Sequence, residues 1–214
     1  MIASSSLRVV YPGGRLLLAP FGADELKVVL PIPMSILEFE LKRGVPLYTS
    51  TDAARFLQAM QGSKGNLTWG IFDTMRYGFL GSVSVYEVDS PLRMHEISAM
   101  IYKEPFLNRG FGTVACLAIC KYMFKQGALA LHARTSTDNT RAQKVLARMG
   151  FVDLGPCQRM ELVCGDSQMD LWALAGEFGQ VIYGGSPNSS LLYDAWQNTF
   201  NPAVEQFVIE ELSS

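Results

Sequence analysis

The stretch that most constrains this chain is Leu107-Asn108-Arg109-Gly110-Phe111-Gly112-Thr113, which opens into the apolar run from Val114 to Phe124. A glycine turn leading straight into a helix leaves the first backbone N–H groups without intrahelical partners, at the positive end of the helix dipole. Such a spot suits a phosphate. Gly110 and Gly112 carry no Cβ, so a large anion can approach the main chain, and Arg109 adds a permanent charge. An ordinary loop and helix start produces the same pattern, so the flanking segments must decide.

Upstream, Glu96 to Tyr102 reads as a strand, and downstream Ala128 to Arg134 reads as another. Strand, glycine turn, helix and strand make a crossover unit whose turn lies at the carboxyl end of the first strand, where open sheets bind ligands. A dinucleotide fold does not fit, because there is no G-x-G-x-x-G and no acidic residue closing the second strand. The G-K-[ST] of a nucleoside triphosphate loop is also missing.

Asn108-Arg109-Gly110-Phe111-Gly112-Thr113 resembles the coenzyme A pyrophosphate loop of the GNAT superfamily of N-acetyltransferases, whose pattern is [QR]-x-x-G-x-[GA]. A second block, Asn139-x-x-Ala142 through Leu146 to Gly150-Phe151, is similar to the family's N-x-x-[SA]…G-F segment, and the two stand in the family's order. The resemblance covers roughly Arg15 to Cys164 and looks closest to the branch of ribosomal-protein N-terminal and polyamine acetyltransferases. It implies an α+β sandwich: a mixed, mostly antiparallel twisted sheet of about six to seven strands flanked by helices. Two positions depart from the pattern. Leu107 stands where the family has Gln or Arg, and Leu146 where many members have the Tyr that protonates the leaving thiolate.

The resemblance also implies the chemistry. Acetyl-coenzyme A would be the donor and a primary amine, on a protein N-terminus or a small molecule, the acceptor; no metal is required. Leu107, Asn108, Arg109, Gly110, Phe111, Gly112 and Thr113 would hold the pyrophosphate. The main chain of Met100 and Ile101 would pair with the pantetheine arm as an added strand, one of these N–H groups stabilising the oxyanion. Asn139 would hydrogen-bond the arm from the other side, with Ala142 and Leu146 packing near the thiol. The acceptor must lose a proton before it attacks, and Glu96 is the first choice of base, a solvent-facing strand residue being the plain alternative. His95 titrates near neutrality but points to the opposite face of the strand. Tyr102 is the best local substitute for the missing acid, followed by Ser136 and Asp138.

The remaining sequence bounds the setting. A chain of 214 residues with 49% hydrophobic side chains can fill a sizeable core, and its net charge of −2 offers no general footprint for nucleic acid or anionic membrane. No run of about 18 apolar residues and no apolar signal core occurs. The four cysteines have no metal-ligand spacing, so buried thiols in a reducing cytoplasm are expected. Residues 1–14, ending in Pro12-Gly13-Gly14, read as a flexible arm, residues 15–164 as the acetyltransferase-like domain, and residues 165–214 as a helical extension. In that extension Met169 to Phe178, Ser190 to Phe200 and a last helix after Asn201-Pro202 carry helical apolar spacing. It either packs back on the domain or forms an oligomer or assembly surface, and the second option supports a rival reading: a non-catalytic protein that keeps the fold and works as a structural component.

Overall fold

Strand-forming segments account for most of the described architecture. The computed structural model describes residues 6–11, 14–22, 24–25, 66–76, 78–89, 94–128, 130–136, 139–157, 169–175 and 208–212. Among these, nine strands form one sheet: β1 (Ser6–Tyr11), β2 (Gly14–Ala19), β3 (Leu67–Asp73), β4 (Gly78–Asp89), β5 (Met94–Ile101), β6 (Ala130–Ser136), β7 (Val152–Cys157), β8 (Met169–Ala175) and β9 (Val208–Leu212). Their order is β7-β8-β6-β5-β4-β3-β2-β1-β9. Of these pairs only β5 and β6 run parallel; every other neighbouring pair is antiparallel. The mixed, mostly antiparallel α+β sheet expected from the sequence is therefore present, with more strands than expected.

The two described α-helices follow β5 and β6. Helix α1 (Phe111–Lys125) packs on β5, β4 and β1, and α2 (Thr140–Arg148) on β6 and β7. Sequence patterning places the helix stops at Gly127 and Gly150, and both helices end there, at a glycine with positive φ, 89° and 85° respectively. In each case the residue after the glycine donates back five positions, Ala128 to Met123 O and Phe151 to Leu146 O, both at 3.0 Å. This pair of closing bonds satisfies carbonyls the helix leaves over.

Alternation divides the sheet into two unlike faces. Leu7, Val9, Leu16, Leu18, Trp69, Ile71, Val83, Val85, Ile97 and Ile101 belong to one buried cluster with Val114, Ala118, Ile119, Tyr122 and Met123 of α1. Trp69 meets Tyr122 edge-on, ring centroids 6.0 Å apart. The other face adds hydroxyls to an aromatic cluster: Thr68 and Ser84 share a hydrogen bond of 3.0 Å, Ser82 and Tyr102 one of 2.6 Å, and Phe79 packs against Phe21, Phe72 and the Tyr102 ring. Buried polar groups of this kind are tolerated because they satisfy one another.

Three expectations are corrected. Residues 6–11 are not a loose arm: Leu7 and Val9 are buried while Arg8 is exposed, and β1 pairs with β2 and β9. The Pro12-Gly13-Gly14 breaker separates two strands of a hairpin rather than an arm from a domain. Met169–Ala175 is not helical, because β8 is paired on both sides, by β6 and β7. A strand buried between neighbours reads as a continuous apolar run, which periodicity does not distinguish from a helix. The last helix is likewise replaced, over Val208–Leu212, by a strand on the β1 edge, where Arg8 Nη1 lies 3.2 Å from Glu210 Oε2. Sequence spacing also predicts helices at 23–30 and 53–60 and a strand at 159–163, and the resemblance implies that residues 23–62 form the acceptor side of the cleft; these segments and the expected helix at 190–200 lie outside the described residues, apart from the helical pair Asp24 and Glu25. No described helix is long and apolar enough to cross a membrane.

Candidate coenzyme and acceptor site

The chain leaves β5, makes a 3-10 turn over Glu104–Phe106, and enters α1 at Phe111. Asn108 (φ 60°) and Gly110 (φ 84°) both take left-handed conformations. Among the described residues no side chain caps α1, and its first internal bond is Val114 N–H to Gly110 O at 2.9 Å. The amides of Phe111, Gly112 and Thr113 thus come before the first intrahelical acceptor. A Cβ built on Gly110 would meet no atom within 4 Å, whereas one on Gly112 would lie 3.6 Å from Ile101 Cγ1. The loop therefore opens onto space on one side and rests against the end of β5 on the other. Asn108 and Arg109 are exposed, Thr113 is half-buried, and Phe111 turns its ring into the core. Leu107 departs from its expected role. Its N–H donates to Glu104 O at 3.0 Å and its side chain packs on the core, so it has neither group to offer an anion.

Beside this loop the sheet opens. β5 and β6 are in register only at Met94/Ala130, His95/Leu131 and Glu96/His132. Beyond Glu96, β5 continues on β4 to Ile101 while β6 continues on β8 to Ser136. Tyr102 N–H donates to Leu80 O at 2.9 Å. By the alternation of an antiparallel ladder, Ile101 and Ala99 then turn their N–H and C=O away from β4, toward the side β6 has left. Ala99 is exposed between buried neighbours Ile97 and Ile101 on its face. Of the two residues expected on this edge, Ile101 belongs there. Met100 does not: its carbonyl O sits 1.9 Å from where a Cβ of Gly81 would be, packed against β4. Ala99 takes its place, a residue that sequence reasoning passed over because its exposure follows from β6 departing.

On the hydroxyl-bearing face, register aligns Tyr86, Glu96 and His132 across β4, β5 and β6, with Arg134 two residues further along β6. Arg134 Nε donates to Glu96 Oε1 at 3.1 Å and its Nη2 to Glu96 Oε2, a two-point ion pair that engages both carboxylate oxygens. His132 is half-buried, and burial lowers its pKa from the usual histidine value; nearby Glu96 opposes this shift and Arg134 adds to it. His95 faces the other way, as alternation required, its register partners being Glu87 and Leu131. Tyr102 is corrected as a proton donor. It is fully buried, with its hydroxyl on Ser82, so it ties β5 to β4 instead of facing the fork. His132 and Arg134 were missed as site residues, although the polar-apolar alternation of Leu131-His132-Ala133-Arg134 places them on one face.

Across the fork, Asn139 caps α2: its Oδ1 accepts from Ala142 N–H at 3.1 Å. The carboxamide NH2 is the half it can offer a ligand. Ala142 is half-buried beside it, and Leu146 is buried in the core. The Ser136 side chain and residues 137–138 lie outside what the structure describes. Cys116 and Cys120 are free, buried thiols on α1, Cys116 pushed up to about 12 by desolvation. They belong to the core, not the site.

The start of α1 thus lies beside the stretch of β5 from which its parallel neighbour has diverged. A model of the acetyltransferase (GNAT) domain matches residues 15–152, more than half of the 214, so the chain belongs to the GNAT acetyltransferases, a family whose acetyl donor is acetyl-coenzyme A. Among solved structures it is similar to an acetyltransferase of T. thermophilus, with 20% identity, TM-score 0.70, and 91% of this chain and 98% of that one covered. A Vibrio cholerae protein described as a ribosomal-protein-serine acetyltransferase by assignment has 19% identity and TM-score 0.63, over 79% and 97% of the two chains. The ribosomal L7/L12 α-N-protein acetyltransferase, solved with coenzyme A, has 15% identity and TM-score 0.64, over 76% and 95%. No curated protein matches the chain.

Proposed function

We propose that this chain transfers the acetyl group of acetyl-coenzyme A to a primary amine, on a protein N-terminus or a small molecule, by direct transfer with both substrates bound. One observation carries the reading: the uncapped start of α1 and the released edge of β5 meet at Gly112 and Ile101. A diphosphate on the amides of Gly110 to Thr113, with Arg109 beside it, directs its arm along Ala99 and Ile101 as an added strand. The Asn139 NH2 is available to a carbonyl of the arm from the other bank. An N–H of the β5 edge serves the thioester oxygen as negative charge develops there. The acceptor enters over the hydroxyl-bearing face, where Glu96 and Arg134 form the charged end of the fork. The two ribosomal-protein acetyltransferases among the similar structures favour a protein N-terminus within this class, and with it a cytoplasmic setting.

The non-catalytic reading loses support, because two segments of its proposed helical assembly surface are strands of the sheet. The test is a thiol-release assay with acetyl-coenzyme A and a panel of free-N-terminus peptides and polyamines. Thiol release that depends on an amine, with an acetylated product by mass spectrometry, is expected. Coenzyme binding without any acetylated amine contradicts the proposal.

A further inference from the structure

Glu96 reaches the fork with both oxygens held by Arg134. A proton arriving on that carboxylate would weaken two charge-assisted bonds at once. Tyr102 is buried on Ser82, and His95 lies on the opposite face. The remaining imidazole at the fork is that of His132, directly across from Glu96 in the last register pair before β5 and β6 separate. We propose that His132 is the catalytic base that takes the proton from the incoming ammonium, with the Glu96–Arg134 pair as its fixed charged neighbour. The inference rests on the reading of the chain as an amine acetyltransferase.

The surroundings suit the role. From β4, Tyr86 stands in register beside Glu96. From β8, the partners of His132 and Arg134 are Ala173 and Leu171, neither of which titrates. Helix α2 packs on β6 through the cluster that holds Leu131, Ala133 and Leu146, and its Arg141, Lys144 and Arg148 are exposed. Burial lowers the His132 pKa despite Glu96, favouring the neutral form, which can accept a proton.

The step balances. R–NH3+ gives one proton to an imidazole nitrogen, which becomes imidazolium. The freed lone pair forms the C–N bond at the thioester carbonyl carbon. The C–S bond breaks with its electron pair on sulfur, and the second proton leaving nitrogen ends there as the thiol. His132 then returns its proton to water. An ammonium and a thioester become an amide, a thiol and one proton.

The test compares wild type with His132→Gln, using a hexapeptide with a free amino terminus and spermidine as acceptors. At pH 7 the variant should lose at least about a hundredfold in kcat, with acetyl-coenzyme A affinity unchanged within about twofold. The wild-type kcat should rise with pH through a histidine ionisation that is missing in the variant, and the deficit should shrink as pH nears the amine's own pKa. NMR titration of the free protein gives a second readout. With only two histidines in the chain, His95→Gln assigns the signals, and His132 should titrate below the usual 6.5 or so. A variant kcat within about threefold of wild type that keeps the pH limb, or a His132 imidazole titrating above that value, overturns the base and leaves the acetyltransferase reading intact. Should His132→Gln fail to fold, His132→Asn and the wild-type titration decide. Wild type that binds acetyl-coenzyme A but acetylates neither acceptor overturns both.

Discussion

The two faces of the sheet are made from alternate residues of the same strands, yet they differ in how they are held. Toward α1 the contacts are apolar, with Trp69, Val83, Val85 and Ile97 in one buried cluster. On the other face, buried Thr68, Ser82 and Ser84 pair through hydroxyls, and the row ends in Glu96, His132 and Arg134. Apolar burial is the dominant favourable term in folding, whereas a neutral hydrogen bond adds about 1 kcal/mol net and fixes direction. The second face also buries Phe21, Phe79 and the Tyr102 ring, but it alone adds directed hydrogen bonds that end at the fork, so substitutions on the two should fail differently.

The largest effect is expected on the α1 face. Trp69→Ala should cost about 3–5 kcal/mol, read from urea unfolding, while the protein that remains folded binds acetyl-coenzyme A normally. Gly81→Ala should be milder in stability, about 1–3 kcal/mol, but should weaken acetyl-coenzyme A binding at least about tenfold in calorimetry, because the Met100 carbonyl must move and takes the Ala99–Ile101 edge with it. Unchanged affinity would detach that edge from the coenzyme. Tyr102→Phe should cost about 1 kcal/mol by removing one partner of Ser82. A hundredfold drop in kcat with stability intact would instead restore Tyr102 as a proton donor.

The smallest effect concerns pH. The His132 pKa is lower folded than unfolded, so its contribution to stability is complete above the unfolded value and is lost as pH falls through the folded one. Between pH 7 and 5 wild type should therefore lose more stability than His132→Gln, measured by urea midpoints at each pH. An equal loss would place His132 in an ordinary solvated setting.

Local signals made part of this legible. The glycine turn, both crossover helices, their glycine ends and the opposite facing of His95 and Glu96 follow from spacing within about 20 residues. What escaped depends on partners far along the chain. β1 and β9 are about 200 residues apart, and neither announces the other; β8 reads as a helix until β6 and β7 enclose it. The exposure of Ala99, the capture of Glu96 by Arg134 and the burial of Tyr102 each follow from which strand lies alongside.

The most direct test of the coenzyme site is calorimetric titration of acetyl-coenzyme A into wild type and into a Gly110→Val/Gly112→Val double variant. A side chain at Gly110 would strain the left-handed turn ahead of α1, and one at Gly112 would crowd Ile101 at the end of β5. Wild type should bind, and a variant with a native far-UV spectrum should bind at least about a hundredfold more weakly. Equal affinity in the two proteins would contradict a diphosphate held at the start of α1.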